Sequence, residues 1–268
     1  MTEPLPDIDR FATALPPITA GRYEVRLART SHEIRLAQQL RYQVMYAEKG
    51  GRPDLHKVKE KADIDEWDPQ AFHIIVTDKR AETLKIVGTL RLVSNLCLAP
   101  DQAFYTEHAF DISGLREHYD SLLELGRFCI DPGGRNGVIL MLIWKYAMAF
   151  IATNKIGVMF GCASFPGTDI EAHREVLTYL HDNNLASPAL MPVAVVDHTP
   201  ISKIRLPEAD FDDATRDVPT LLRGYLKLGA RCSDTAVIDP VFNTTFICIY
   251  VDAASMMSEN TTLVTSRR

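Results

Sequence analysis

The sequence contains few cysteines, and they are not arranged as in a disulfide framework or a zinc site. Their number is odd, they are widely spaced, and no C-x-x-C pair occurs. Neither a disulfide-stapled secreted scaffold nor a cysteine metal site is indicated. We therefore predict no metal and free thiols in a reducing, cytoplasmic compartment. The cysteines are Cys97, Cys129, Cys162, Cys232 and Cys248.

Basic blocks and long hydrophobic runs are also missing. The formal net charge is -6 and the basic residues are scattered, which argues against a protein that binds nucleic acid by counterion release. The apolar run 138–152 is interrupted by Lys145 and is shorter than the roughly 20 residues that cross a bilayer. The acidic, proline-containing start lacks the features of a signal peptide. We predict no nucleic-acid partner, no membrane span and a cytoplasmic location.

The glycine motifs of nucleotide-binding folds are absent. Neither G-x-x-x-x-G-K-[ST] nor G-x-G-x-x-G occurs, and the order of predicted elements is not a strict βαβ alternation. That order predicts a mixed α/β fold in which helices flank a central mixed sheet, splayed at the glycine turn described below. The chain is long and hydrophobic enough for one substantial core. We predict a flexible leader at residues 1–21, one domain at 22–252 and a flexible tail at 253–268.

The segment from Leu122 to Asp169 predicts a strand, a glycine-rich turn, a helix and a second strand. Backbone N–H groups at such a helix start, with Arg135 beside them, suit a phosphate ester. An ordinary strand-to-helix turn would show the same pattern. The residues that we predict to hold the phosphate are Gly133, Gly134, Arg135, Asn136 and Gly137.

The predicted strand before this turn carries a possible base, Glu124, and a possible anion clamp, Arg127. Period-two alternation places the two side chains on opposite faces. A pocket-facing Glu124 would accept a proton from an attacking amine, directly or through water. The alternative is a solvated or paired carboxylate without a catalytic role.

Local patterns predict several other elements. Thr30 caps a helix that runs to about Glu48, and residues 72–77 and 84–94 form an antiparallel hairpin. The acidic density of residues 52–69 is typical of a solvated loop. His73 and Asp78 match an acyltransferase spacing, but residues five apart on a strand face opposite sides, so we treat the match as chance. Cys162 is interpreted as a packing residue rather than a nucleophile.

Several of these segments together resemble the bacterial ornithine–acyl carrier protein N-acyltransferases. The resemblance rests on LELGRF (123–128), the short glycine turn, the apolar helix with Trp144 and FGCASFPGTD (160–169). It extends to RYQVMYAE (41–48), VGTLRL (87–92), LLRGYLKLGA (221–230) and AVIDPVFNTT (236–245). The matches cover roughly residues 23 to 250. A more distant similarity is to the acyl-homoserine-lactone synthases.

This resemblance implies a GNAT-type N-acyltransferase fold and the first step of ornithine lipid synthesis. A 3-hydroxyacyl chain would pass from the phosphopantetheine of acyl carrier protein to the α-amine of L-ornithine, with no permanently bound cofactor. Glu124 would be the base. The residues implied to bind the acceptor are Arg41, Asp65, Asp68, Arg91 and Arg127. The residues predicted to meet the acidic carrier protein are Arg135, Lys145, Lys155, Arg223, Lys227 and Arg231.

Two alternatives stay open. One is an enzyme of the same fold that acylates another amine, such as an acyl-homoserine-lactone synthase or an acyltransferase for glycine, glutamine or lysine. The other is a non-catalytic module that binds acyl carrier protein or lipid. The lipid product also leads us to expect a transient, peripheral contact with the inner membrane, although no strongly basic amphipathic helix supports it.

Overall fold

The computed structural model describes residues 15–99, 102–135, 137–206 and 218–256. None of the helices in these ranges has the length and apolar character needed to cross a membrane. The strands are β1 (Ile18–Ala20), β2 (Tyr23–Leu27), β3 (Phe72–Asp78), β4 (Ile86–Ser94), β5 (Phe110–Asp111), β6 (Leu122–Ile130), β7 (Val158–Pro166), β8 (Val193–Ala194), β9 (Thr199–Pro200), β10 (Arg231–Cys232), β11 (Thr235–Asp239) and β12 (Thr244–Asp252). The α-helices are α1 (Ser31–Tyr42), α2 (Leu55–Glu60), α3 (Ser113–His118), α4 (Gly137–Thr153), α5 (Arg174–Asn184), α6 (Ile201–Ile204) and α7 (Thr220–Lys227).

The described chain divides into two units. Unit 1 is the described part of Met1–Gln102 together with Leu125–Lys155, and unit 2 is the described part of Ala103–Glu124 and Ile156–Arg268. Strand β6 therefore gives its residues up to Glu124 to unit 2 and its later residues to unit 1. This division does not test the prediction of one domain over residues 22–252, which stays a prediction.

In unit 1, β1 to β4 form an antiparallel sheet, and β6 lies beside β4. Strand β3 is buried from Phe72 to Thr77 because helices cover both of its faces. On one face Ile75 packs in a cluster with Leu40 of α1. On the other, the Phe72 ring lies 5.2 Å from that of Phe150 in α4. Such double coverage explains why hydrophobic residues occupy consecutive positions at Ile74, Ile75 and Val76 instead of alternating with polar ones.

Helix α4 approaches the sheet so closely that β4 needs a glycine at position 88. A Cβ atom at Gly88 would lie 2.7 Å from Cγ2 of Ile139 and 3.1 Å from Cδ1 of Ile143. Both contacts are shorter than normal van der Waals separations. Gly88 therefore helps to set the position of the first turns of α4, which follow the glycine turn.

In unit 2, β7 pairs in parallel with the start of β6 and antiparallel with β12 along its whole length. The β6 pairing runs from Leu122 to Glu124 and places Glu124 opposite Phe160. Strand β11 pairs with β12 and with β9, β10 also pairs with β12, and β5 and β8 form a separate two-stranded sheet. Phe104 packs edge-on against Phe160, with their ring centroids 4.9 Å apart.

The mixed α/β class with flanking helices is confirmed. The predicted hairpin corresponds to β3 and β4, and the predicted strand, glycine turn, helix and strand correspond to β6, residues 132–134, α4 and β7. The helix capped by Thr30 reaches Glu48, but its last part, Gln43–Glu48, is a π-helix. Position-specific turn and cap signals were therefore reliable guides to these boundaries.

Three expectations need correction. Residues 18–20, assigned to the leader, form β1, because Ile18 pairs with Val25 at the edge of the sheet. Residues 253–256, assigned to the tail, are helical, whereas residues 1–14 and 257–268 lie outside the described ranges. The acidic segment 52–69 is not a solvated loop, because it contains α2 and buries Asp63 and Asp68 among arginines.

Candidate functional site

The acidic segment of unit 1 forms a buried ion-pair network, which we call the charged cluster. Its members are Arg41, Asp63, Asp65, Asp68, Arg91 and Arg127. Arg41 binds Asp68 through two nitrogens, at 2.8 and 2.9 Å, and its Nε lies 2.8 Å from Asp63. Such bidentate, charge-assisted pairs are the strongest hydrogen bonds between side chains. The cluster brings together all five predicted acceptor-binding residues.

Four separate elements supply the cluster. Arg41 comes from α1, Arg91 from β4 and Arg127 from β6, while the aspartates follow α2. The acidic segment is fixed against α1, because Asp63 N donates to Gln38 O at 3.0 Å and the Gln38 amide donates to Asp68 at 3.0 Å. The network therefore joins parts of unit 1 that are distant in sequence.

Arg127 adopts a left-handed backbone conformation, with φ of 56°. This conformation is unfavourable for a residue with a Cβ and costs on the order of 1–3 kcal/mol. Its guanidinium pairs with Asp63 and Asp65, each at 3.0 Å, and these contacts hold the residue in place. Since the alternation rule assumes an extended backbone, it cannot be applied across Arg127, and the prediction that Glu124 and Arg127 face opposite sides loses its basis.

The arginines of the charged cluster lower the pKa of two of its carboxylates, Asp63 and Asp68. Burial alone would raise the pKa of Asp63, but the charges of Arg127 and Arg41 outweigh it and lower this pKa to about 2. Burial is likewise outweighed at Asp68, where Arg41 and Arg91 hold the pKa well below its usual range. Asp63 and Asp68 are therefore ionised at neutral pH.

His73 lies next to the charged cluster, and its surroundings favour the uncharged form of the side chain. Its Nε2 is 3.1 Å from the backbone oxygen of Asp68. Burial lowers the pKa of His73 from its ordinary 6.5 to about 4, although the charge of Asp68 opposes this. His73 is therefore neutral in the folded protein at neutral pH.

We expect the stability of the protein to fall between pH 6.5 and pH 4 because of His73. In this window the unfolded chain binds a proton that the folded chain excludes, so the free energy of unfolding drops as pH is lowered, by about 3 kcal/mol in total. The His73→Gln variant should lose this dependence, whereas His32→Gln, at an exposed position, should keep it. Urea unfolding at several pH values measures the slope, and equal slopes in wild type and His73→Gln would contradict the assignment.

In unit 2, Glu124 is buried rather than solvated, with 3% of its surface exposed. Its Oε1 accepts hydrogen bonds from the backbone N and the hydroxyl of Thr106, each at 2.6 Å, and its Oε2 accepts from Tyr105 N at 3.2 Å. These donors stand at the start of a short 3-10 helix, Tyr105–His108. The Glu124 carboxylate therefore accepts three hydrogen bonds from this turn.

The glycine turn of unit 1 is built around Asp131. Its Oδ1 accepts from Gly133 N at 2.9 Å and its Oδ2 lies 2.7 Å from Lys85 Nζ. Helix α4 begins directly afterwards at Gly137, where a Cβ atom would meet nothing within 4 Å. Arg135 pairs with Glu48 at 2.6 Å on the surface. Asn136 lies outside the described residues.

The sequence offered two further candidates, the His73/Asp78 pair and Cys162, and both make local contacts. His73 and Asp78 do not cooperate, since Asp78 pairs with Arg22 at 3.2 Å. The Sγ of Cys162 lies 3.7 Å from the hydroxyl of Thr106. Within the described residues, no group of three or more histidine, cysteine, aspartate or glutamate side chains is placed to hold a metal ion.

Sequence reasoning did not name two residues of these surroundings as site residues, although one of them, Asp63, lies in the acidic segment. Asp63 has the same kind of arginine contacts as Asp65 and Asp68, and its position in the acidic segment was the available signal. Thr106 contacts Glu124 across 18 residues of chain, and no motif in the sequence marks it. Only the fold of unit 2 identifies it.

The chain is similar to several known proteins. A family model described as an acetyltransferase (GNAT) domain matches residues 40–145. The L-ornithine N(alpha)-acyltransferase of Rhodobacter capsulatus is 34% identical over 248 residues, which cover 91% of this chain and 95% of that protein. That of Brucella abortus is 36% identical over 236 residues, covering 85% and 84%. The structure of FeeM, an N-acyl amino acid synthase from uncultured soil microbes, is alike in fold, with a TM-score of 0.52, 12% identity and coverage of 91% and 96%.

Proposed function

This chain belongs to the L-ornithine N(alpha)-acyltransferase family, and we propose that it transfers a 3-hydroxyacyl chain from acyl carrier protein to the α-amine of L-ornithine. The product would be lyso-ornithine lipid. The observation that supports ornithine as the acceptor is the similarity to relatives of that name along 84–91% of the chain. The buried carboxylate of Glu124 and the charged cluster supply groups suited to this chemistry.

The proposed reaction is direct attack of the amine on the thioester carbonyl. A C–N bond forms, the C–S bond breaks, and the thiolate takes up a proton as the amide forms, so no covalent enzyme intermediate is needed. Glu124 accepts the proton of the attacking amine through water, and backbone amides of β6 stabilise the oxyanion. The role requires an ionised Glu124, and the hydrogen bonds that its carboxylate accepts from Thr106 and Tyr105 support this assignment.

We propose roles for the residues of the charged cluster according to the solvent exposure of their side chains. Asp65 has the most exposed side chain of the six, at 11%, and Arg127 follows at 7%. We assign to Asp65 the side-chain ammonium of ornithine and to Arg127 its carboxylate. Arg41 exposes no surface, so its proposed role is to hold Asp63 and Asp68, and Arg91 supports Asp65 and Asp68 in the same way.

The glycine turn is the proposed site of the phosphopantetheine phosphate. The open space in front of Gly137 and the start of α4 support this proposal, because amides at a helix start bind anions. Gly133, Gly134, Arg135 and Asn136 complete the proposed set. Peripheral contact with the inner membrane and docking of the carrier protein on the predicted basic residues stay predictions.

An acceptor panel tests the proposed function. Purified protein with 3-hydroxyacyl carrier protein should acylate ornithine and disfavour norvaline, which lacks the side-chain ammonium, by at least about tenfold in kcat/KM. Glycine, glutamine, lysine and S-adenosylmethionine test the same-fold alternatives, and 3-hydroxyacyl coenzyme A tests the donor. Products are identified by mass spectrometry. Faster reaction with another amine would overturn ornithine as acceptor, and equal use of coenzyme A would overturn the carrier-protein assignment.

A further inference from the structure

We propose that Thr106 is a positioning residue for the reaction, and that its hydroxyl orients the Glu124 carboxylate and keeps it ionised. This inference rests on the proposed role of Glu124 as base. The Thr106 side chain exposes no surface. Its hydroxyl and its backbone N both lie 2.6 Å from the same oxygen, Oε1 of Glu124.

The direction of the hydrogen bonds follows from the chemistry of the groups. An ionised carboxylate accepts and cannot donate, so the single proton of the Thr106 hydroxyl points to Glu124. The Cys162 Sγ, 3.7 Å from that hydroxyl, can then only donate its S–H to the free lone pairs of the Thr106 oxygen. The result is a chain of donors from Cys162 through Thr106 to Glu124, in which each bond polarises the next.

The turn that carries Thr106 is held together without the hydroxyl. Glu107 Oε2 accepts from Phe104 N at 2.7 Å, and Ala109 N donates to Thr106 O at 3.0 Å. The Arg116 guanidinium pairs with Glu107, and Phe104 packs against Phe160. Replacement of the Thr106 hydroxyl by a methyl group should therefore leave the 3-10 helix and its backbone donors to Glu124 in place.

Titratable groups of β7, β12 and the 3-10 turn lie near this carboxylate in the described part of unit 2. Cys162 on β7 and Cys248 on β12 are directly paired in the strand register. Burial raises the pKa of Cys248, and the charge of Glu124 adds to this, so Cys248 stays neutral across the working range. On the turn itself, the Tyr105 hydroxyl lies 3.4 Å from Asp239, and Glu107 is paired with Arg116. Glu124 is the group that the Thr106 hydroxyl contacts directly, so a shift seen on changing Thr106 is assigned to Glu124 and checked by the Glu124→Gln variant.

The test compares Thr106→Val, which removes the hydroxyl but keeps the shape, with Thr106→Ser, which keeps the hydroxyl. In Thr106→Val, kcat for ornithine should fall about tenfold or more, KM should change less than about twofold, and the acid limb of the kcat/KM profile should move up by about one pH unit. Thr106→Ser should retain kcat within about threefold and keep the wild-type limb. Cys162→Ala should shift the limb in the same direction by a smaller amount.

A second measurement separates this inference from the proposed function. The Glu124 carboxyl carbon can be followed by 13C NMR in protein labelled at glutamate, with Glu124→Gln identifying its resonance. Its titration midpoint should move to higher pH in Thr106→Val even if ornithine proves not to be the acceptor. An unchanged midpoint and acid limb in a folded Thr106→Val protein, with activity lost in Glu124→Gln, would overturn the positioning role and leave the proposed function standing.

Discussion

The Glu124→Gln variant is expected to acylate ornithine about 100 to 10,000 times more slowly than wild type, mainly through kcat. Loss of a positioned general base has this range of effects. The amide also carries two hydrogens where the carboxylate accepts from Tyr105 N and from Thr106. One donor would then face another donor, so the thermal midpoint must be measured together with the rate.

Two further variants make this prediction specific. Glu124→Asp keeps the charge but retracts it by one methylene group, and we expect a smaller loss than in Glu124→Gln. Glu117→Gln changes an exposed glutamate of α3 and should leave kcat unchanged. If Glu124→Gln turns over ornithine within a few-fold of wild type while folded, Glu124 is not the base.

The Asp68→Asn variant is expected to lose about 3 to 5 kcal/mol of stability. Asp68 is bound by Arg41 and Arg91, and also by Gln38 and Asp65 N. Removing its charge leaves two buried guanidinium groups without their full counter-charge. Breaking a buried ion pair by removing one partner is strongly destabilising, because the other charge stays buried and unpaired. The free energy of unfolding of a single domain is only about 5 to 15 kcal/mol, so this loss should be visible as a much lower urea midpoint.

A neighbouring acid provides the control for this prediction. Glu66 lies in the same segment but is exposed, and Glu66→Gln should change the free energy of unfolding by no more than about 0.5 kcal/mol. A loss below about 1 kcal/mol in Asp68→Asn would show that the charged cluster does not hold unit 1 together. Activity measured on the folded fraction would then decide whether Asp68 matters for the acceptor.

Local patterns predicted much of the fold. The hairpin of β3 and β4 follows from β-rich runs around a polar turn, and β6, the glycine turn and α4 follow from a strand pattern that ends at Pro132. These features depend on neighbouring residues, which a single sequence displays.

The arrangement of the candidate site could not be predicted in the same way. The left-handed conformation of Arg127 depends on aspartates more than 60 residues upstream, at positions 63 and 65. The acidic segment was predicted to be solvated because its arginine partners come from three other elements, and the segment's own sequence does not reveal them. The partner of Glu124, Thr106, is brought near only when unit 2 folds. In each case long-range contacts outweigh the conformation or environment that the local sequence favours.

The central claim, that the chain is an acyltransferase for the α-amine of ornithine, is tested most directly by the structure of the product. Purified protein should convert ornithine and 3-hydroxyacyl carrier protein to a single amide, and tandem mass spectrometry or NMR should place the acyl group on the α-nitrogen with the side-chain amine free. Glu124→Gln should give little of it. An amide on the side-chain nitrogen, or no amide from ornithine under conditions in which the protein is folded, would contradict the claim.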